Sequence, residues 1–125
     1  LIRLDLVKEL SAWLKQRNIT IRINTDGQAN LVHDRNILPE LEGLVDAVSV
    51  SLNAADAETY QKYCQSQFGT RGFEAIKEFL LEASNYIPSV TATAVELPGL
   101  DIEACSKLAE NLGVDFRSRE YNDLG

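Results

Sequence analysis

The chain has no methionine, one tryptophan and one histidine among its 125 residues. Its only cysteines, Cys64 and Cys105, fit no zinc or iron–sulfur spacing. Both fall in helical patterns, so buried free thiols are expected, with a disulfide as the alternative. No apolar run reaches membrane-spanning length and no signal-peptide pattern opens the sequence, so a soluble, cytoplasmic protein is expected. Basic charge is scarce: 12 Lys and Arg stand against 19 Asp and Glu, for a net charge of −7. The sequence pI is about 4.6. That balance argues against a general nucleic-acid or membrane-surface binder and leaves room for a local basic patch. There is no phosphate-cradling glycine loop and no Gly-x-Ser-x-Gly elbow. His33 has no evident nucleophile partner, and no set of His and carboxylates reads as a metal site. The sequence opens Leu1-Ile-Arg-Leu-Asp5 without Met, so the N-terminus is expected to be cut or processed.

What is present is ordinary globular composition, with 45% hydrophobic and 25% charged residues, in a length that suits one domain with a core. The most informative stretch is Ala47 to Asn53. Val48, Val50 and Leu52 alternate there with Ser49, Ser51 and Asn53. A strand sends successive side chains to opposite faces, so one face is oily and the other carries hydroxyls and an amide. A parallel strand buried on both sides would be apolar throughout. The polar face is therefore either solvated or turned into a cavity that meets a ligand.

The rest of the chain alternates helices and strands. Leu6, Leu10, Trp13 and Leu14 follow a helical spacing, with Asp5 as the expected N-cap. Ile19 to Thr25 reads as a strand with Ile19, Ile21 and Ile23 on one face and Thr20, Arg22 and Asn24 on the other, ended by an Asp26-Gly27 turn. Residues 28–36 read as a loop carrying a solvated His33, followed by a short helix from Pro39 to Gly43. Asp56 caps a helix over Ala57 to Cys64, and a second helix is expected over Gly72 to Ser84. Ser89 to Glu96 is a strand whose faces the pattern leaves unassigned. Asp101 caps the last helix, Gly113 stops it, and Val114 to Tyr121 forms the last strand.

Strands alternating with helices predict an α/β protein with a parallel four-stranded sheet. One-sided polarity favours part of a (β/α) barrel, TIM-like and incomplete, over a flavodoxin-like sheet, which needs both faces apolar. In parallel α/β architectures ligands bind at the C-terminal strand ends. Here those ends carry Asn24, Thr25 and Asp26, then Ser51 and Asn53, then Glu96, then Arg119 and Tyr121. Each also reads as a turn or cap residue.

The runs Ile21-Arg-Ile-Asn-Thr-Asp-Gly27 and Val45-Asp-Ala-Val-Ser-Val-Ser-Leu-Asn-Ala54, followed by Glu58-Thr59-Tyr60, resemble the middle of a radical S-adenosylmethionine (radical SAM) enzyme. The likeness is nearest to the TatD-associated radical SAM proteins, where Leu97-Pro-Gly-Leu-Asp-Ile-Glu103 and Val114-Asp-Phe-Arg117 also have counterparts. The resemblance covers nearly all of the chain. It implies the C-terminal part of a partial (β/α)6 barrel from an enzyme that cleaves S-adenosylmethionine reductively with a [4Fe–4S] cluster. The cluster-binding Cys-x-x-x-Cys-x-x-Cys loop and the Gly-Glu-Pro motif would precede Leu1, so this chain alone is expected to be inactive and to bind no cluster. Asp26 stands where the family usually has Asn. By resemblance, Asn24, Thr25, Ser49, Ser51 and Asn53 contact the cofactor, while Glu96, Arg117 and Arg119 face the substrate or pair with one another. A strand edge left open at the N-terminal side would favour a homodimer. A non-catalytic α/β module that binds a small ligand or a protein is the alternative reading.

Overall fold

A computed structural model of the chain describes residues 3–25, 27, 29–33, 35–64, 70–96 and 100–120, without the side chains of residues 29, 31, 63, 64 and 70. The elements in order are α1 (Leu4–Lys15), β1 (Arg22–Thr25), α2 (Ala29–His33), α3 (Leu38–Leu41), β2 (Ala47–Ser51), α4 (Ala57–Cys64), α5 (Thr70–Ala83), β3 (Ser89–Glu96), α6 (Ile102–Asn111) and β4 (Asp115–Glu120). The four strands form one sheet in the order β1-β2-β3-β4. Every pair is parallel. The expected α/β class with alternating helices is therefore observed. No described helix is long and apolar enough to cross a membrane.

The two faces of the sheet differ in composition because each strand alternates. Ile23, Val48 and Val90 share one rung, and Thr25, Val50, Ala92 and Phe116 the next. This is the apolar face. Val48, Val50, Val90, Ala92 and Ala94 are buried in one cluster with Leu38 and Leu41 of α3, Phe73, Ile76, Phe79 and Leu80 of α5, and Cys105 and Ala109 of α6. The rings of Tyr60 and Phe73 meet at 5.6 Å and join α4 to α5. At about 25 cal/mol per Å² of apolar surface, burial of this one layer is the main source of stability.

Two of the three expected helix caps are formed. Asp56 accepts from the Thr59 amide at 2.8 Å, and Asp101 accepts from the Ala104 amide at 3.0 Å. Gly113 takes a positive φ of 77° just beyond α6. Cys105 is a buried free thiol. The side chain of Cys64 lies outside the described residues.

Several local expectations are corrected. The first strand begins at Arg22, not Ile19, whose side chain is 43% exposed. Segment 28–36 is not all loop: Ala29–His33 forms one short helix, and His33 is half-buried and interacting rather than solvated. Arg3 takes the N-cap position of α1 with no side-chain cap bond, and Asp5 lies in the first turn. The helix pattern also pointed to the wrong face of α1. Leu6, Leu10 and Trp13 are exposed, whereas Leu4 and Ser11 are buried and Leu14 is half-buried. Two ion pairs orient α1 this way, Lys8 with Glu40 at 3.1 Å and Lys15 with Asp46. On the outer surface the Arg17 guanidinium covers the Trp13 ring at 3.6 Å.

Asp46 ties three elements together at the start of β2. Its carboxylate pairs with Lys15 of α1 and accepts from the Ile21 amide at 2.7 Å. Its carbonyl accepts from the Ser89 amide at 3.2 Å. The Lys15 ammonium, then the Ile21 amide, hold the Asp46 carboxyl below its ordinary value. A folded value below the unfolded one means the contribution is complete above the ordinary carboxylate range, about pH 4, and is lost as pH falls through the folded value. Asp46→Asn should therefore destabilise the protein at pH 7, with the gap to the parent closing as pH drops below about 4. Urea unfolding of both proteins across that range measures the gap; a gap independent of pH would remove the carboxylate from the account.

Candidate functional site

The second face of the sheet is polar across all four strands. Asn24, Ser49, Thr91 and Asp115 form one rung. Ser51, Thr93 and Arg117 form the next, and Val95 and Arg119 the one beyond. Ser49, Ser51, Thr91 and Thr93 are half-buried, and Asn24, Arg117 and Arg119 are exposed. The helices packed on the sheet, α5 and α6, bury their apolar side chains against its other face. Parallel register accounts for the alignment: Ile23, Val48, Val50, Val90, Ala92 and Phe116 are buried or half-buried on one side, and holding them in register brings the alternate residues together on the other.

Five of the sequence-predicted residues are thus brought to one face: Asn24, Ser49, Ser51, Arg117 and Arg119. Asn53 stands at its upper rim. Two are not. Thr25 is buried on the opposite face, in register with Val50, and its hydroxyl accepts from the Gly27 amide at 3.2 Å. Glu96 follows the phase of Ala92 and Ala94, and accepts from the Ser118 hydroxyl at 3.0 Å rather than pairing with Arg117 or Arg119. Asp26 and Tyr121 lie outside the described residues. Thr91 and Thr93 complete the polar rows and were missed as site residues. Their alternation with Val90, Ala92 and Ala94 is visible in the sequence, but only the register with Ser49 and Ser51 says which side they face.

Hydrogen bonding separates residues with spare capacity from those already engaged. The hydroxyls of Ser49 and Ser51 and the guanidinium groups of Arg117 and Arg119 bond to none of the described residues. The Thr93 hydroxyl donates to the Val50 carbonyl at 3.4 Å, near the limit of a hydrogen bond. Asn53 is half engaged. It sits at φ 56°, and its Oδ1 accepts from the Val95 amide at 3.2 Å. Strand β3 outlasts β2 there, and the Asn53 side chain replaces the missing backbone acceptor. Its amide nitrogen bonds to none of the described residues and remains available as a donor.

No family model matches the chain, and no curated protein matches its sequence. The chemistry therefore has to be read from the side chains. Among the described residues, no group of His, Cys, Asp and Glu is placed to hold a metal ion. Cys105 is buried on α6 in the apolar core, where burial, then Asp101 and Asp56, push its thiol above the ordinary range. It is unsuited to act as a thiolate ligand or nucleophile. What the open face offers is hydrogen bonding: aligned hydroxyls and amides, with positive charge at one end.

A groove of about 340 Å³ lies elsewhere, lined by Arg3, Leu4, Asp5, Leu6, His33 and Arg35. It is separate from the rows of hydroxyls. His33 joins it from α2, the helix that the sequence pattern had not indicated.

Proposed function

We propose that this chain is part of a partial (β/α)6 barrel, and that its polar sheet face receives the nucleoside portion of S-adenosylmethionine in a radical SAM enzyme. The observation that carries the reading is the run of unengaged hydroxyls and amides on one face of a sequentially ordered parallel sheet. An order without reversal sends right-handed crossovers to a single side, which leaves the other side free to become the inside of a barrel. A doubly wound sheet reverses its order and covers both faces.

Ser49 and Ser51 suit the ribose hydroxyls, because each can donate and accept in turn. Asn24 lies beside Ser49 on β1, and Asn53 follows Ser51 just beyond the end of β2. The chain's two cysteines do not suit the [4Fe–4S] cluster: a cluster needs several thiolates together, and Cys105 is buried in the apolar core. When bound, S-adenosylmethionine supplies the radical-generating chemistry, and these residues orient it.

Backbone amide shifts of the 15N-labelled chain test the reading. The probe is 5′-methylthioadenosine, a neutral nucleoside. Shifts should map to Ser49, Ser51, Thr91 and Thr93 and spare the helical face. Ser49→Ala and Ser51→Ala should each weaken binding by roughly fivefold, from the loss of about 1 kcal/mol of hydrogen bonding. Shifts confined to the helices, or none at millimolar nucleoside, would return the chain to the class of non-catalytic α/β modules.

A further inference from the structure

We propose that the ligand held on the polar face carries an anionic group, a carboxylate or a phosphate, and that Arg117 and Arg119 bind it above the Ser51–Thr93 rung. The inference rests on this face being the ligand face. It adds the charge and the position of the group that binds there.

The first observation is charge placement. The chain is strongly acidic, with a net charge of −7. The described strand residues on the polar face nonetheless include Arg22, Arg117 and Arg119 against a single carboxylate, Asp115. Asp115 lies in the rung of Asn24, Ser49 and Thr91, and Arg117 and Arg119 lie in the two rungs beyond it. The positive charge thus gathers at the C-terminal end of the strands, where parallel sheets bind ligands.

The second observation is that neither guanidinium is spent. Five other cations are paired: Lys8 and Arg35 with Glu40, Lys15 with Asp46, Lys77 with Glu74 and Lys107 with Glu103. Arg3, Arg22 and Arg71, like the two arginines of β4, form no ion pair with a described residue, but only Arg117 and Arg119 stand two residues apart on one strand face. Glu96, on the neighbouring strand, is turned to the other face and held by Ser118. Arg117 and Arg119 bond to none of the described residues.

The third is geometry. Thr93 lies between Ser51 and Arg117 on adjacent strands, each about 4.8 Å away. Arg119 follows Arg117 on the same face, roughly 6.6 Å further along. An anion seated over Thr93 can accept from the Ser51 hydroxyl while both guanidinium groups reach it from one side. Charge-assisted bonds of this kind are shorter and stronger than neutral ones, and the fork of Arg matches carboxylate and phosphate oxygens.

The anion has two sources, the amino-acid carboxylate of an adenosyl ligand or a separate substrate. The test follows the arginine side-chain Nε–H signals of the labelled chain during titration with inorganic phosphate. Signals of Arg117 and Arg119 should shift together, and Arg117→Gln should weaken phosphate binding about tenfold or more. Arg71→Gln, on exposed surface of α5, should leave it unchanged. S-adenosylhomocysteine and 5′-methylthioadenosine are then compared. If Arg117→Gln weakens only the former, the cofactor's own carboxylate is the anion. If it weakens neither, and phosphate still binds beside saturating S-adenosylhomocysteine, the anion belongs to the substrate. Binding of 5′-methylthioadenosine with no phosphate response at Arg117 and Arg119 overturns this inference and leaves the nucleoside reading standing. A phosphate response with no nucleoside binding removes the nucleoside reading instead.

Discussion

Gly27→Ala is expected to destabilise the fold by about 2–5 kcal/mol. Two costs add. Gly27 has φ +80°, where an L side chain is strained by about 1–2 kcal/mol. A Cβ there would also stand 2.9 Å from Val50 Cγ1 and 3.0 Å from Ile76 Cγ1. Both of those side chains are fully buried, so neither can swing away, and overpacking of this kind costs about 1–3 kcal/mol. Gly113 supplies the control. It has a similar φ of +77°, but a Cβ there meets nothing within 4 Å. Gly113→Ala should therefore show the strain alone. Urea unfolding followed by circular dichroism measures both. Equal losses would mean that Gly27 does not press on the core as described. Gly27 matters for the site because it abuts Val50, the residue between Ser49 and Ser51.

Asn53→Ala is the second large effect, at about 2–4 kcal/mol. Alanine loses the acceptor for the Val95 amide and keeps the unfavourable φ of 56°. Leaving a part-buried N–H unpaired costs about 1–3 kcal/mol, and the backbone strain adds to it. Two further substitutions divide the sum. Asn53→Gly relieves the strain and still lacks the acceptor, so it should recover part of the loss. Asn53→Asp keeps an acceptor oxygen and should be the mildest. Full recovery with glycine would show that the side-chain bond contributes nothing. The same series separates the two roles of Asn53. Asn53→Asp keeps the oxygen that caps β3 but replaces the free amide nitrogen, so weaker nucleoside binding by a stable Asn53→Asp protein would identify that nitrogen as a ligand contact.

The polar face was readable wherever alternation was strict. Ser49 and Ser51 against Val48 and Val50 needed no structure, since a strand with one buried phase has its other phase fixed. Thr25 and Glu96 show the opposite error. Both were selected for standing at strand ends, although their phase is that of Ile23 and of Ala94. Counting by two from the apolar residues would have placed them on the helical side. Thr91 and Thr93 could not be placed that way, because their neighbours Ala92 and Ala94 are small and Val95, on their own phase, is apolar. Their side is set by which residues of β2 they pair with.

The helices divide along the same line. Asp56 and Asp101 are caps that act through amides three residues away, so their role is written locally. The face of α1 is not local. Leu6, Leu10 and Trp13 make a regular apolar stripe, yet Lys8 and Lys15 reach Glu40 and Asp46 on distant segments, and the helix turns its Leu4 and Ser11 side inward. Amphipathic spacing gives the width of a stripe but does not say whether anything packs on it.

By itself the sequence determined the α/β class, the alternation of helices with strands, the caps at Asp56 and Asp101, the stop at Gly113, and the two-sided character of β2, because each of these depends on residues within a few positions of one another. The order and parallel register of the strands, the gathering of Ser51, Thr93 and Arg117 into one row, the spare bonding capacity of the arginines, and the close approach of Gly27 to Val50 and Ile76 were decided only by the tertiary structure. Those features join residues far apart in the chain, and packing one apolar layer under the helices is what brings them together.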